Sequence, residues 1–220
     1  MTPETLARYF DHTILKPGAT EQDVICICDE AREFGFFSVC VNPVHIRLVK
    51  KQLEGSGVKV CSVIGFPLGA HTSEIKAMET KKAVDDGADE IDMVINVGAL
   101  IQGDTKRVEA DIKAVVDAAR QREVKVIIET CLLTDAQKTA ACEAAERAGA
   151  HFVKTSTGFS TGGATRADVA LMKEVVNDRL KIKASGGIKT LADALGMIEA
   201  GADRIGASAG ADIIKSMGTE

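Results

Sequence analysis

The chain has 220 residues, of which 45% are apolar and 27% are charged, and its net charge at pH 7 is −5. This composition is typical of a globular protein with enough apolar side chains for one large core. The sequence has no basic run or stripe, which argues against nucleic acid and anionic membrane surfaces as partners. It also has no run of about 18 apolar residues and no apolar signal-peptide core, so the cytoplasm is the expected location.

The cysteines and histidines do not predict a metal site. The six cysteines are Cys26, Cys28, Cys40, Cys61, Cys131 and Cys142. The Cys-x-Cys pair lies in a predicted helix, where residues i and i+2 do not share a face, and no second close pair accompanies it. Only four histidines occur, so we expect neither a metal nor another cofactor.

A recurring sequence motif indicates how the chain is organised. Gly-Ala followed by a short apolar run occurs at 87–91, 149–153 and 201–205, each time after an Ala-rich and acidic segment. Such a motif is typical of a helix that ends at a glycine and is followed by a short loop and then by a strand. The spacing between the copies leaves room for about two strand–helix units each, which predicts a regular α/β alternation.

Taken in order, the pattern predicts eight strands, each followed by a helix. A short N-terminal helix is predicted at 3–9. The predicted strands are 11–15, 38–41, 59–64, 90–95, 125–129, 152–155, 181–184 and 204–207. The predicted helices that follow them are 21–34, 43–53, 73–85, 105–120, 135–147, 166–176, 191–199 and 212–217.

This alternation favours a single (β/α)8 TIM barrel domain over residues 1–220. The alternative is an open, doubly wound sheet. The sequence contains no Gly-x-Gly-x-x-Gly or Walker-type phosphate loop to support that alternative.

Three charged side chains interrupt predicted strands that are otherwise apolar. Asp92 lies in the fourth strand, Lys154 in the sixth and Lys183 in the seventh. Each of them alone could be a structural ion pair. Together, near the C-terminal strand ends where such barrels carry their sites, they predict a catalytic group. The predicted neighbours are Asp11, Thr13, Cys40, Glu129, Thr155 and Ser156. Of these, Asp11, Thr13, Cys40 and Thr155 are predicted to line the substrate site.

Two lysines and a carboxylate favour an amine nucleophile. A lysine attacks a carbonyl only as the free amine, and at a pKa near 10.4 only about 0.04% is neutral at pH 7. Lowering that pKa to about 7 takes about 4.6 kcal/mol. A buried position beside a second ammonium group can supply this free energy, and Asp92 could hold the second charge or move protons.

Glycine-rich loops follow the last strands and predict a phosphate site. Ser185-Gly186-Gly187 follows the seventh strand, and Gly206 to Ser208 ends the eighth before a helix. Barrels often bind phosphate at these two loops through backbone N–H groups. Gly158, after the sixth strand, could add a donor. The alternative is ordinary turn chemistry, which also favours glycine and serine.

Six motifs carry a resemblance to a known family. They are Asp-His-Thr-Ile-Leu-Lys-Pro at 11–17, Val-Cys-Val-Asn-Pro at 39–43, Val-Ile-Gly-Phe-Pro-Leu-Gly at 63–69, Glu-Ile-Asp-Met-Val-Ile-Asn at 90–96, Phe-Val-Lys-Thr-Ser-Thr-Gly-Phe at 152–159 and Lys-Ala-Ser-Gly-Gly-Ile at 183–188. These motifs resemble the 2-deoxy-D-ribose-5-phosphate aldolase family, and the resemblance runs through nearly the whole chain. Three departures are Ala209, where many members have a second serine, Phe159, which is a lysine in some relatives, and the end Met-Gly-Thr-Glu at 217–220, where some members have a tyrosine that reaches the site. Residues 219 and 220 of that end lie outside the residues that the structure describes.

The resemblance implies a metal-independent class I aldolase on a barrel. It would reversibly cleave 2-deoxy-D-ribose 5-phosphate to acetaldehyde and D-glyceraldehyde 3-phosphate. Lys154 would form the Schiff base, with Lys183 beside it and Asp92 in a proton relay with a water. The implied phosphate-binding residues are Gly186, Gly187, Gly206 and Ser208. Relatives are commonly homodimers or homotetramers.

Two other functions remain open at the level of sequence. A different Schiff-base aldolase, acting on keto-acid phosphates, would need an arginine for the substrate carboxylate. Candidates at strand ends are few, and Arg204 is near the start of the eighth strand. A barrel that binds a phosphosugar without catalysis would use its lysines only in ion pairs.

Overall fold

Eight parallel strands form a closed barrel in which each strand pairs with the next and the last strand closes on the first. The structure is a computed structural model that describes residues 1–218. The strands are β1 Phe10–Ile14, β2 Ser38–Val41, β3 Lys59–Ile64, β4 Glu90–Val94, β5 Glu123–Ile127, β6 Phe152–Lys154, β7 Lys181–Ser185 and β8 Arg204–Ala207. The predicted (β/α)8 barrel is confirmed, and the open sheet is excluded. A single domain over residues 1–220 stays a prediction, and residues 219 and 220 lie outside the described residues.

Helices alternate with the strands along the chain. They are α1 Pro3–Ala7, α2 Glu21–Phe34, α3 Ile46–Gln52, α4 Ser73–Asp86, α5 Val97–Ile101, α6 Thr105–Ala118, α7 Asp135–Arg147, α8 Arg166–Val176, α9 Leu191–Glu199 and α10 Gly210–Ser216. Capping boxes at Thr20, Thr134 and Thr190 begin α2, α7 and α9, because each threonine hydroxyl accepts an N–H of the first turn. Within residues 1–218, no helix is both long and apolar enough to cross a membrane.

Several predicted elements differ from the structure by one or two residues at an end, and three differences are larger or change the chain path. The predicted helix 43–53 is divided into a 3-10 turn, Pro43–His45, and α3. Helix α5 was not predicted. Strand β5 ends at Ile127 instead of residue 129, because the backbone of Glu129 takes a left-handed conformation with φ 58° and leads into a 3-10 helix.

The strand register positions the charged residues. Asp92 on β4 is the Cα partner of Lys125 on β5, and Lys154 on β6 is the partner of Lys183 on β7. Side chains at paired positions of neighbouring strands project to the same face of a sheet. Four charged groups are therefore directed into the same part of the barrel.

The barrel interior is divided between apolar and charged side chains. Leu15, Cys40, Cys61 and Val63 form a small apolar cluster on the side of β1 to β3. The buried charged side chains of the interior come from β4 to β8 and, with Asp11, from β1. The larger hydrophobic core lies between the strands and the surrounding helices.

Candidate active site

Asp92 is the centre of the charged group. Its Oδ2 atom accepts hydrogen bonds from Lys154 Nζ at 2.8 Å and from Lys183 Nζ at 2.7 Å. Its Oδ1 atom accepts one from Lys125 Nζ at 2.9 Å. Asp92 is fully buried and Lys154 is 3% exposed. The two lysines predicted from the sequence therefore share one carboxylate oxygen.

Lys183 is held as a cation beside Lys154. Its Nζ atom lies between Asp92 Oδ2 and Asp11 Oδ2, the latter at 2.5 Å. Burial by itself would lower the pKa of Lys183, but the charges of Asp11 and Asp92 outweigh it and hold this pKa above its ordinary value. Lys183 is thus a fixed positive charge at neutral pH.

A lower layer of ion pairs supports this arrangement. Arg204 Nη1 donates to Asp11 Oδ1 at 2.9 Å and to Glu90 Oε2 at 3.2 Å. Lys125 Nζ lies 2.6 Å from Glu90 Oε2. Removing one member of such a buried network would leave an uncompensated charge, which typically costs about 3–5 kcal/mol.

The buried charges are not balanced when all of them are ionised. Four buried cationic groups share three buried carboxylates: Lys125, Lys154, Lys183 and Arg204 with Asp11, Glu90 and Asp92. Lys154 has one ion-pair partner among the described residues, whereas each of the other three cations has at least two. A neutral amine at Lys154 leaves three cations facing three carboxylates, which favours nucleophilic chemistry at this position.

The network predicts acid sensitivity. Burial would raise the pKa of Asp92 and of Asp11, but neighbouring lysine charges outweigh it and hold both below the ordinary range. The unfolded chain therefore binds more protons than the folded chain as the pH falls below about 4, so the free energy of unfolding should drop there. Urea titrations from about pH 6 to about pH 3 should give a shallower decline for Asp11→Asn than for the native sequence. An equal decline in the free energy of unfolding for both proteins would show that Asp11 does not cause the acid sensitivity.

A pocket of about 180 Å³ opens above Lys154. It is lined by residues from the loops after β6, β7 and β8 and by Thr13 at the end of β1. The lining residues are Thr13, Lys154, Thr157, Gly158, Ser185, Gly186, Gly187, Ile188, Lys189, Gly206, Ala207 and Ser208. The structure thus brings all five glycine and serine positions predicted for phosphate into one pocket with Lys154.

Backbone N–H groups give this pocket its capacity for an anion. Within residues 1–218, the N–H groups of Gly158, Gly186, Gly187 and Ser208 have no acceptor in the protein. Gly186 and Gly187 both have positive φ values, 88° and 79°, which a residue with a side chain rarely adopts. Successive N–H groups in such a turn form a concave anion site.

Three predicted substrate contacts lie outside the pocket. Asp11, Cys40 and Thr155 are each fully buried. Asp11 is occupied by Lys183 and Arg204, and the Thr155 hydroxyl exchanges hydrogen bonds with the backbone of Ser185. The structure therefore places them beneath or behind the lining, where they support it.

Sequence reasoning missed other members of the site. Lys125 and Glu90 are the first residues of predicted strands, where charged residues are usually solvated, but both are fully buried. Their signal was the same as that of Asp92, a charge at an inward position of a strand. Lys189 lines the pocket from the loop after β7. A lysine next to the Gly-Gly turn could have been noted as a charge for the phosphate.

Two groups of three side chains have possible metal-ligand atoms within 4.8 Å of one another. These groups are Cys40, Cys61 and Asp92, and Asp11, Cys61 and Glu90. Their carboxylates already contact lysine or arginine cations, which would repel a metal ion. That the protein binds no metal stays a prediction.

The fold and site together define a class of protein, a (β/α)8 barrel with a buried lysine at the foot of an anion pocket. The model of the DeoC/LacD family of aldolases matches residues 5–216. The deoxyribose-phosphate aldolase of Streptococcus pneumoniae serotype 19F (strain G54) is 60% identical over 210 residues, which cover 96% of each chain. The chain belongs to the DeoC/LacD aldolase family, and the resemblance seen in the sequence motifs is confirmed.

Solved structures agree with this assignment. The deoxyribose phosphate aldolase of Aeropyrum pernix, described as a unique tetramer, superposes with a TM-score of 0.93 at 36% identity, covering 99% of this chain and 93% of that one. The aldolase QR15 superposes with a TM-score of 0.93 at 40% identity, covering 96% of this chain and 95% of that one.

Proposed function

We propose that this protein is a class I aldolase that reversibly cleaves 2-deoxy-D-ribose 5-phosphate to acetaldehyde and D-glyceraldehyde 3-phosphate. The observation that carries the proposal is the position of Lys154. Its Nζ atom contacts Asp92 at the foot of a pocket lined by free backbone N–H groups. An amine and an anion site in one pocket suit a substrate with a carbonyl at one end and a phosphate at the other. Family membership and the relative at 60% identity support the same substrate.

The reaction begins at the open-chain aldehyde. The neutral amine of Lys154 attacks C1, and loss of water gives an iminium ion. Deprotonation of the C3 hydroxyl then breaks the C2–C3 bond, the electron pair moves into the iminium, and D-glyceraldehyde 3-phosphate leaves. The remaining enamine takes a proton at C2 and is hydrolysed to acetaldehyde, which regenerates the Lys154 amine.

Asp92 is the proposed proton carrier for these steps, acting through a water. It is the one carboxylate that contacts Lys154 among the described residues. Lys183 keeps a positive charge next to both groups, which favours the neutral amine before attack. No metal or cofactor takes part in the proposed sequence.

The phosphate is proposed to bind the N–H groups of the glycine loops, with Lys189 as the nearby positive charge. Lys189→Ala should therefore raise KM for 2-deoxyribose 5-phosphate by about tenfold, equivalent to about 1.4 kcal/mol, with kcat little changed. Steady-state kinetics measure both constants. Lys181→Ala is the matched control, because this exposed lysine lies at the start of β7, at the opposite end of the barrel. An equal KM for native protein and Lys189→Ala would remove this lysine from the phosphate site.

The keto-acid alternative is less favoured by the position of Arg204. This side chain is 4% exposed, is bound to Asp11 and Glu90, and is outside the pocket lining. It therefore cannot serve a substrate carboxylate in the pocket.

A direct assay tests the proposed function. Purified protein is mixed with 2-deoxyribose 5-phosphate, and acetaldehyde is detected by its reduction with alcohol dehydrogenase and NADH. We expect NADH oxidation that depends on the protein. With a keto-acid phosphate as substrate, we expect no release of pyruvate. Binding of the sugar phosphate without acetaldehyde release would favour a non-catalytic barrel.

We also propose a cytoplasmic location and a homodimer or homotetramer. The family membership and the tetrameric relative support self-association, and free thiols at all six cysteines fit a reducing compartment. Light scattering coupled to gel filtration measures the mass in solution. A mass of one chain would contradict the oligomer.

A further inference from the structure

Glu129 has an unusual backbone at the end of β5. Its φ of 58° lies in the left-handed region, which non-glycine residues adopt only where their surroundings hold them. The residues on either side of it bond to β6: Ile128 N donates to Lys154 O at 3.0 Å, and Thr130 N donates to Thr155 O at 2.9 Å. The two donors are two residues apart, whereas their acceptors on the β6 side are adjacent residues. Glu129, between the donors, is therefore the extra residue of a β-bulge. Bulges next to active sites commonly redirect a side chain.

The redirected carboxylate holds the loop that follows the Schiff-base strand. Glu129 Oε1 accepts from the backbone N–H of Thr157 at 3.2 Å, and Oε2 accepts from its hydroxyl at 2.5 Å. Glu129 is 4% exposed and has no cationic partner within residues 1–218. Its polar contacts among the described side chains are therefore those with Thr157.

Thr157 has no donor left for a substrate. Its N–H and its hydroxyl hydrogen are both directed to Glu129, and its hydroxyl oxygen accepts from Phe159 N at 3.0 Å. The next residue, Gly158, lines the pocket, and its N–H has no protein acceptor within residues 1–218. Gly158 has φ 83°, so the turn at Thr157 and Gly158 depends on both residues.

The same segment is fixed from the other side by β7. Ser185 Oγ donates to Ser156 O at 2.6 Å, and the Thr155 hydroxyl bonds to the Ser185 backbone. The loop between Lys154 and Gly158 is thus held by β7 at its first two residues and by Glu129 at its third. Losing the Glu129 contacts would free the part that faces the pocket.

We propose that Glu129 is a positioning residue that holds Thr157 so that the Gly158 N–H group is directed at the substrate phosphate. The inference rests on the proposed function for its substrate, since it assigns the phosphate of that substrate to this N–H. It also explains why a carboxylate lies close to an anion site. Both of its oxygens are used by Thr157, and its effect on the anion is carried by the loop.

The test is a double-mutant cycle read out by binding of inorganic phosphate. Thr157→Val, Glu129→Gln and the double variant are titrated with phosphate by 31P NMR, and circular dichroism checks their folding. Each single variant should raise the phosphate Kd by about tenfold, because a held N–H donor is lost. The double variant should lose no more than either single one, whereas independent contributions would give about a hundredfold loss.

Two further readouts separate positioning from a general structural effect. In steady-state assays KM for 2-deoxyribose 5-phosphate should rise while kcat changes by less than about twofold. Glu123→Gln is the matched control, because this glutamate lies at the start of β5, at the other end of the barrel, and its phosphate Kd should equal that of the native protein.

The outcomes are distinct. An additive cycle, an unchanged or tighter phosphate Kd in Glu129→Gln, or an equal fall in kcat would overturn the positioning role. If Glu129→Gln fails to fold, Thr157→Val alone decides, since it breaks the same contact from the loop side. A native protein that binds phosphate but releases no acetaldehyde would refute the proposed function, while the phosphate cycle would still decide the role of Glu129.

Discussion

Lys154→Ala is expected to abolish turnover of 2-deoxyribose 5-phosphate while leaving the protein folded. The Nζ atom of Lys154 is the nucleophile of the proposed mechanism, so its removal should reduce kcat by about four orders of magnitude or more. Stability should change little, because Asp92 keeps Lys125 and Lys183 as partners after the substitution. The remaining network has three cations and three carboxylates.

The measurement is the acetaldehyde-coupled assay together with thermal unfolding. Lys181→Ala, an exposed lysine at the opposite end of the barrel, should keep the native rate. If Lys154→Ala retained more than about 1% of native kcat, the amine of Lys154 could not be the nucleophile.

Lys183→Met is expected to have the second-largest effect. The substitution removes the fixed cation beside Lys154 and leaves Asp11, Glu90 and Asp92 facing Lys125, Arg204 and Lys154. Charge balance then requires Lys154 to remain an ammonium, which cannot attack a carbonyl. We expect kcat to fall by about 100-fold or more and the rising limb of the pH–rate profile to move to higher pH.

Rates between about pH 5 and about pH 10 test this expectation. The sign follows from the charges: without the second cation, deprotonation of the attacking amine needs a more alkaline solution. Urea unfolding is measured in parallel, because loss of a buried ion-pair partner typically costs about 3–5 kcal/mol. A folded Lys183→Met variant with a native pH profile would show that Lys183 does not tune the amine.

Most of the fold could be predicted from the sequence because residues that begin and end helices occur at regular positions. The bounds of β2, β3 and β8 agree with the prediction, as do those of α2, α7, α8 and α9. Threonine caps at the helix starts and glycines at several ends account for this agreement. Helix α5 escaped prediction because its five residues are too few to produce a periodic pattern.

The end of β5 could not be predicted from local sequence. The run Val-Lys-Val-Ile-Ile-Glu at 124–129 is typical of one continuous strand. The bulge at Glu129 depends on its contacts with Thr157, which lies 28 positions later in the chain. The backbone conformation of Glu129 is determined by tertiary hydrogen bonds and not by the β-strand propensity of the local sequence.

The site was predicted in outline, and the structure explains what was left out. Asp92, Lys154 and Lys183 were recognised because each interrupts an apolar strand, and the register brings them together. Lys125 and Glu90 were overlooked because they are near strand starts, where a charged side chain usually reaches water. A closed barrel buries those positions as well, so their charges must be paired inside it.

The most direct measurement of the central claim is borohydride trapping during turnover, followed by peptide mass mapping. The protein is mixed with 2-deoxyribose 5-phosphate, the Schiff base is reduced, and the modified residue is located. The account predicts a single adduct on Lys154, which is absent in Lys154→Ala. An adduct on Lys183 instead, or no adduct despite acetaldehyde release, would contradict it.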